Sequence, residues 1–117
     1  MLRKYESLIN NKPIHIATIS ADGKPNLAVV ADVKVIDDNR LLISHNEMIN
    51  TPKNIQNNNN IVITAFDDNW AGIRLTGTAE YYSQGKYIDM AIKFFKNKST
   101  NPIGAIIVTV NELEELK

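Results

Sequence analysis

Residues 46–60, N-E-M-I-N-T-P-K-N-I-Q-N-N-N-N, separate two short apolar runs at 41–44 and 61–66, and the reading of this polar interval decides how those runs are joined. Thr51 followed by Pro52 is a helix-start signal. Threonine suits the N-cap, and proline suits the first helical position, where an N–H would have no intrahelical partner. The spacing predicts a short helix with Ile55 as its apolar residue, ended by the asparagines at 57–60, which tolerate a left-handed helix end. Unpaired N–H groups, the Thr51 hydroxyl, the Asn50 amide and the Lys53 cation together have what an anion site needs. The same pattern also describes a helix that only connects two strands, and local sequence leaves both readings open.

On the N-terminal side, Leu2, Tyr5, Leu8 and Ile9 recur at helical spacing across residues 2–11, predicting a helix that lids one end of a barrel. Residues 14–20 alternate as a strand, with Ile14, Ile16 and Thr18 on one face, and run into an Asp22-Gly23 hairpin turn. Residues 27–36 read as one long second strand with Leu27, Val29, Ala31, Val33 and Val35 facing the core. Residues 40–45 form the third strand, reached through the turn at 37–39. On the C-terminal side, residues 61–66 and 73–82 are the fourth and fifth strands, with Gly77 marking a bend or a close backbone approach. Residues 83–97 are the one long amphipathic helix, burying Ile88, Ala91, Ile92 and Phe95 and leaving Lys86, Asp89, Lys93 and Lys96 outside. A polar loop at 97–101 leads to an uncharged, central strand at 105–110, and the tail at 111–117 reads as a helical turn or two with Leu113 and Leu116 inward. Six strands, two successive hairpins and a helix before the last strand predict a small antiparallel barrel of the mainly β, α+β class, which leaves no strand edge exposed.

The whole chain, 1–117, reads as one domain, long enough to bury roughly two-thirds of the surface its unfolded form exposes. Thirteen basic and thirteen acidic residues cancel, which removes the bulk electrostatic reason to expect nucleic acid or an anionic membrane as partner. The absence of cysteine excludes disulfides, a thiolate nucleophile and cysteine metal sites. An N-terminus without a signal-peptide run, and no stretch of about 18 apolar residues, give the expectation of a cytoplasmic protein. The two histidines, His15 and His45, stand at metal-ligand spacing neither to a carboxylate nor to each other, and read as packed or rim residues. Nucleophile-elbow, glycine-rich phosphate-loop and paired-carboxylate patterns are all missing. Chemically quiet side chains around an anion site suit a protein whose cofactor carries the chemistry.

The order HIATIS, DGKPN, KVIDDNRLLIS, NTPKNI, IVITAFD and GIRLTGTAEY resembles the flavin-binding split barrels of the pyridoxamine 5′-phosphate oxidase-like superfamily, above all its short members, over residues 15–82. The resemblance implies a six-stranded antiparallel Greek-key split β-barrel. It also implies a homodimer with two flavin mononucleotides (FMN) at the subunit interface, and the uncharged half-face at 28–30 agrees with a dimer. The flavin ring would lie along the backbone of Ala28, Val29, Val30 and Ala31, and the phosphate would meet Asn50 and Thr51. Asn50 stands where many relatives carry a basic residue, so Lys53 is the candidate to supply the charge. Arg74 is a candidate for flavin or interface contact, with a surface salt bridge as the alternative. Trp70 would cover the partner's flavin or pack on its own barrel. The chain stops at Lys117 without the C-terminal arginine/histidine substrate motif of the genuine pyridoxamine phosphate oxidases, so vitamin B6 oxidation is not the expected activity. Three readings follow: an FMN-dependent oxidoreductase acting on a small substrate, a flavin carrier or store without one, and a barrel holding no cofactor or another planar ligand such as haem or a deazaflavin.

Overall fold

The computed structural model describes residues 1–95 and 101–116. A 3-10 turn, Leu2–Tyr5, runs into helix α1 (Glu6–Asn11). Strands β1 (Ile14–Ile19), β2 (Pro25–Val30), β3 (Val33–Asp37) and β4 (Arg40–His45) follow, then helix α2 (Asn50–Asn57). Strands β5 (Asn60–Phe66) and β6 (Gly72–Tyr82), helix α3 (Lys86–Phe94) and strand β7 (Gly104–Leu116) complete the chain. The described strands form one antiparallel sheet in the order β2-β1-β5-β6-β7-β4-β3.

The expected long second strand is two strands, which makes the total seven rather than six. The break at Ala31-Asp32 is marked by the Val33 N–H donating to the Ala31 carbonyl (3.2 Å) and the Ser44 N–H donating to the Asp32 carbonyl (3.0 Å). On one side of the break the chain pairs with β1 and on the other with β4, at opposite edges of the sheet. Three Cα–Cα steps separate Val30 from Val33, so those two edges pass within about 11 Å of each other. The sheet is therefore curled like a barrel but not closed, in keeping with a split barrel. The break also shifts the alternation by one residue, which exchanges faces. Val33 and Val35 are buried as expected, whereas Leu27 (69% exposed), Val29 (60%) and Ala31 face outward, and Ala28 and Val30 are the half-buried residues of β2.

The barrel interior is filled by Ile14, Ile16, Leu41, Ile43, Ile61, Ile63, Leu75, Ile106 and their neighbours, each aliphatic side chain worth roughly 1.5–3 kcal/mol of transfer free energy. Leu2 and Ile9, fully buried in the same cluster, plug one end, as the spacing of the N-terminal segment predicts. A second cluster, Leu42, Ala105 and Ile107 with Ala91 and Phe95, seats α3 on the outer face of β4 and β7. Ile88 packs there too, but Ile92, expected inside, is 44% exposed, because the contact stripe runs through Tyr87, Ile88, Ala91 and Phe95 and leaves Ile92 on its flank. The expected extension of this helix through 96–97, the loop at 97–100 and the outward position of Lys96 lie outside the described residues.

The tail does not form helical turns. It continues β7, with Glu112, Leu113, Glu114 and Glu115 paired to Thr76, Leu75, Arg74 and Ile73. The free edge of an eleven-residue β6 outweighs the weak helix preference of so short a segment. The ladder shifts register between Thr76 and Gly77, where Asn111 is the extra residue. Gly77 makes the close approach its place in the strand suggests: a Cβ there would sit 2.0 Å from the Thr109 carbonyl oxygen. Gly77→Ala must push β7 away, and is expected to cost about 1–3 kcal/mol. Urea unfolding checks this as a lower midpoint at unchanged slope; a wild-type midpoint would refute the tight approach.

Candidate functional site

The site begins at the β1–β2 hairpin. Gly23, at φ +85°, allows the tight turn. The Ser20 N–H donates to the Lys24 carbonyl (2.9 Å), and the Lys24 N–H to the Ser20 hydroxyl (3.0 Å). The Ser20 hydroxyl also bonds the Asp22 carboxylate and, more than any other contact, holds that carboxyl below its usual range. The hairpin thereby presents Lys24 and Asn26 toward α2.

Helix α2 starts two residues earlier than its sequence signal, which puts Thr51 at the N-cap and Pro52 first in the helix. Asn50 is its first residue, and Ile49 occupies the N-cap without a side-chain hydrogen bond. Thr51 is inside the helix and 1% exposed, its hydroxyl accepting the Asn26 amide (Nδ2–Oγ1, 3.2 Å). One turn on, buried Asn54 donates Nδ2 to the hydroxyl of buried Thr18 (3.1 Å). The helix end also departs from expectation. Asn58 is extended at φ −143°, and its side chain accepts the Asn60 N–H (3.1 Å), so the asparagines close α2 through a side-chain turn and not a left-handed residue. Because α2 has only Ile55 as an aliphatic anchor, these polar pairs fix its direction on the hairpin, and buried amides and hydroxyls hold such positions strongly because an unmet one is costly.

A cavity of about 510 Å³ lies between the two elements, lined by Asp22, Lys24 and Asn26 from the hairpin and Asn50, Lys53 and Asn57 from α2. Lys24 is 3.6 Å from Asp22, so two ammonium groups face one carboxylate and the mouth keeps a net positive charge. The first turn of α2 has no acidic residue, and Ile49 at its N-cap makes no side-chain hydrogen bond to it, so a helix N-terminus faces the cavity without a carboxylate to compete with an anion. This arrangement can recognise an anion. Its hydroxyl–carboxylate pair, Ser20 with Asp22, closes the hairpin turn, and the lowered pKa of Asp22 makes that carboxylate a weak base. Among the described residues no three His, Cys, Asp or Glu side chains could share a metal ion.

The expected site residues divide into two places. Asn50 and Lys53 line the cavity, with Thr51 beneath them and turned inward. Ala28, Val29, Val30 and Ala31 lie further along the strand that carries Asn26. Arg74 is distant from α2 and grips Glu114 of β7 with both guanidinium and carboxylate engaged (3.0 Å to each oxygen), the cross-strand salt bridge that was the alternative for it. It nevertheless shares the outer sheet face with Val29, through the row Arg74–Thr64–His15–Val29. In that row His15 Nδ1 is out of contact with solvent and has no hydrogen-bond partner among the described residues. Trp70 is 79% exposed at φ 65°, on a turn where the Asp67 carboxylate accepts the N–H groups of Asn69 (2.8 Å) and Ala71 (3.0 Å), and its ring is tilted against that of Phe66 with centroids 6.3 Å apart. Sequence reasoning missed Lys24, Asn26, Thr18 and Asn54. A hairpin DGKPN could have flagged Lys24, but that it folds onto α2 is not a local property.

The profile of the pyridoxamine 5′-phosphate oxidase family matches residues 1–116, and the chain belongs to that family. It is 34% identical over 113 residues to the uncharacterized protein MJ0282 of Methanocaldococcus jannaschii, covering 93% of this chain and 76% of that protein. HupZ of Group A Streptococcus has a similar structure, with 29% identity, TM-score 0.92, and 99% of this chain and 94% of that chain covered. An FMN-binding protein of Syntrophomonas wolfei subsp. wolfei shares the fold at 20% identity and TM-score 0.86, over 99% of this chain and 86% of that one.

The Thr18–Asn54 pair is open to a double-mutant cycle. Thr18→Val and Asn54→Leu each leave a buried partner unmet and are expected to cost about 1–3 kcal/mol, whereas the double variant should lose clearly less than the sum. Additive losses would mean the two side chains do not interact. Arg74→Ala, at an exposed ion pair, should change stability by about 0–1 kcal/mol in the same unfolding assay.

Proposed function

We propose that this protein is an FMN-binding flavoprotein, and that it works as an oxidoreductase on a small substrate. The observation that carries the reading is the cationic cavity between the β1–β2 hairpin and α2, found in a chain of this family at the place where the sequence suggests an anion site. The residues fit a phosphate. Lys53 and Lys24 supply charge, Asn26 and Asn50 supply amides, and the first turn of α2 would add its N–H groups. Lys53 thus stands in for the basic residue missing at Asn50. Thr51 serves from beneath by ordering Asn26 and the helix, since its hydroxyl is buried. Bound flavin would supply reversible electron transfer, which agrees with the lack of reactive groups in the cavity. That FMN-binding protein of the same fold from Syntrophomonas wolfei supports the choice of cofactor.

With the phosphate held in the cavity, the ring of such a cofactor would extend along the neighbouring length of β2. There Leu27 and Val29 project outward from an edge strand, beside Ala17 and His15 of β1. An exposed apolar edge of this kind invites a partner. We place a second copy of the chain there, completing the flavin pocket as a homodimer, with Arg74 on the same face and Trp70 projecting freely enough to reach the other subunit.

Fluorescence quenching with FMN, and with riboflavin as the control lacking phosphate, tests the cofactor. FMN should bind more tightly than riboflavin. Lys53→Gln should weaken FMN about tenfold or more, the worth of one charge-assisted hydrogen bond, and leave riboflavin unchanged. Equal affinity for the two flavins, or preference for haem or a deazaflavin in competition, would overturn the assignment. Light scattering tests the assembly: a dimer is expected, and Val29→Lys, at an already exposed position, should shift it to monomer without loss of fold. A monomeric parent at micromolar concentration would refute the interface.

A further inference from the structure

On the opposite flank of α2 lies a second cavity of about 420 Å³, lined by His45, Tyr81, Ile49, Pro52, Lys53 and Gln56 among others. Lys53 borders both cavities. His45, the last residue of β4, is nearly buried and uses both ring nitrogens: Nδ1 lies 2.6 Å from the Tyr81 hydroxyl and Nε2 lies 2.7 Å from the Met48 carbonyl oxygen. A carbonyl can only accept, so Nε2 carries the hydrogen, and in the neutral ring Nδ1 accepts from the Tyr81 hydroxyl. Burial raises the Tyr81 pKa, which keeps the phenol protonated for that role.

The surroundings fit this pair closely. Gly104 is His45's partner in the β4–β7 ladder, and a Cβ there would lie 2.1 Å from the Tyr81 hydroxyl oxygen. Only glycine at 104 admits the phenol. The Ile103 N–H donates to the His45 carbonyl (2.8 Å), and the rings of His45 and Tyr81 meet edge to face with centroids 5.4 Å apart. Three strands thus hold one imidazole, and its outer nitrogen holds Met48, two residues ahead of the first residue of α2.

We propose that His45 and Tyr81 are positioning residues for the phosphate end of the proposed cofactor site: by fixing Met48 they set the N-terminal turn of α2, and with it Asn50 and Lys53. This inference rests on the FMN reading. Ile49 at the N-cap makes no side-chain bond to the first turn, and the hairpin contacts act on Thr51 and Asn54, further in. The Met48 carbonyl is the point at which the barrel grips the chain before the turn begins.

The experiment measures FMN and riboflavin affinities of the full chain for the parent, Tyr81→Phe, His45→Leu and His45→Gln, with nitrogen-15 shifts of the His45 ring recorded in the parent and Tyr81→Phe. The ring is expected to carry its hydrogen on Nε2, with the Nδ1 resonance moving when the phenol oxygen is removed. His45→Leu should weaken FMN about tenfold and riboflavin hardly at all, and His45→Gln, which keeps an N–H donor toward Met48, should recover most of the loss. Tyr81→Phe removes a single oxygen and keeps the test open if His45→Leu fails to fold; it should shift the FMN-to-riboflavin ratio the same way by a smaller factor. A parent that prefers FMN together with variants that keep that preference overturns this inference alone. A parent that binds both flavins equally overturns the cofactor site and this inference with it.

Discussion

Two residues, Ala31 and Asp32, must carry the chain from one edge of a seven-stranded sheet to the other. So short a bridge can be made only if the sheet curls until its edges pass close by. Curling gives the sheet an inside, which the aliphatic residues of β1, β4, β5, β6 and β7 fill, and a mouth that the N-terminal helix plugs with Leu2 and Ile9. The long β6–β7 ladder joins the halves, and its bulge at Asn111 and close approach at Gly77 let a thirteen-residue strand follow the curvature. The unpaired edge of β2 is the cost of leaving the barrel split.

Helix α2 sits on that frame by a different kind of force. It brings little apolar surface to the barrel, and its orientation depends on hydrogen bonds from buried threonine and asparagine side chains. Directional bonds fix angle and register better than apolar contact does, and they fail completely when a partner is removed. Such attachment suits an element that must hold one lysine and a few amides toward a ligand. Asp22, kept ionised by Ser20, moderates the charge of the cavity so that two lysines can face the same space.

The cavity between the hairpin and α2 gives this member of the pyridoxamine 5′-phosphate oxidase family a place suited to an anion. The exposed Leu27 and Val29 continue the hairpin strand beyond the cavity on the outer sheet face, which the Arg74–Glu114 pair shares, and Trp70 projects from a separate loop. A flavin shared between two copies would put the phosphate on one feature and the ring on the other. In that arrangement the site is assembled from surfaces that each chain presents but cannot close by itself.

Much of the strand pattern was legible in the chain. Alternation at 14–20, the Asp22-Gly23 turn, the runs at 40–45 and 61–66 and the glycine at 77 each depend on neighbours in sequence, and each appears in the structure to within a residue of its expected place. Asn50 and Lys53 were legible as members of a helix start for the same reason. What sequence could not decide was every feature set by a distant partner. Residues 27–36 alternate without interruption, and only pairing to β1 on one side and β4 on the other splits them and exchanges their faces. The tail has a helical composition, and only the waiting edge of β6 extends it. Thr51 has the chemistry of a cap, but Asn26 draws its hydroxyl inward, and His45 gains its role from Tyr81, thirty-six residues away. Local preferences amount to a few tenths of a kcal/mol per residue, whereas completing a strand ladder or pairing a buried polar group is worth about 1 kcal/mol or more at each position, so tertiary structure decided where the two disagreed.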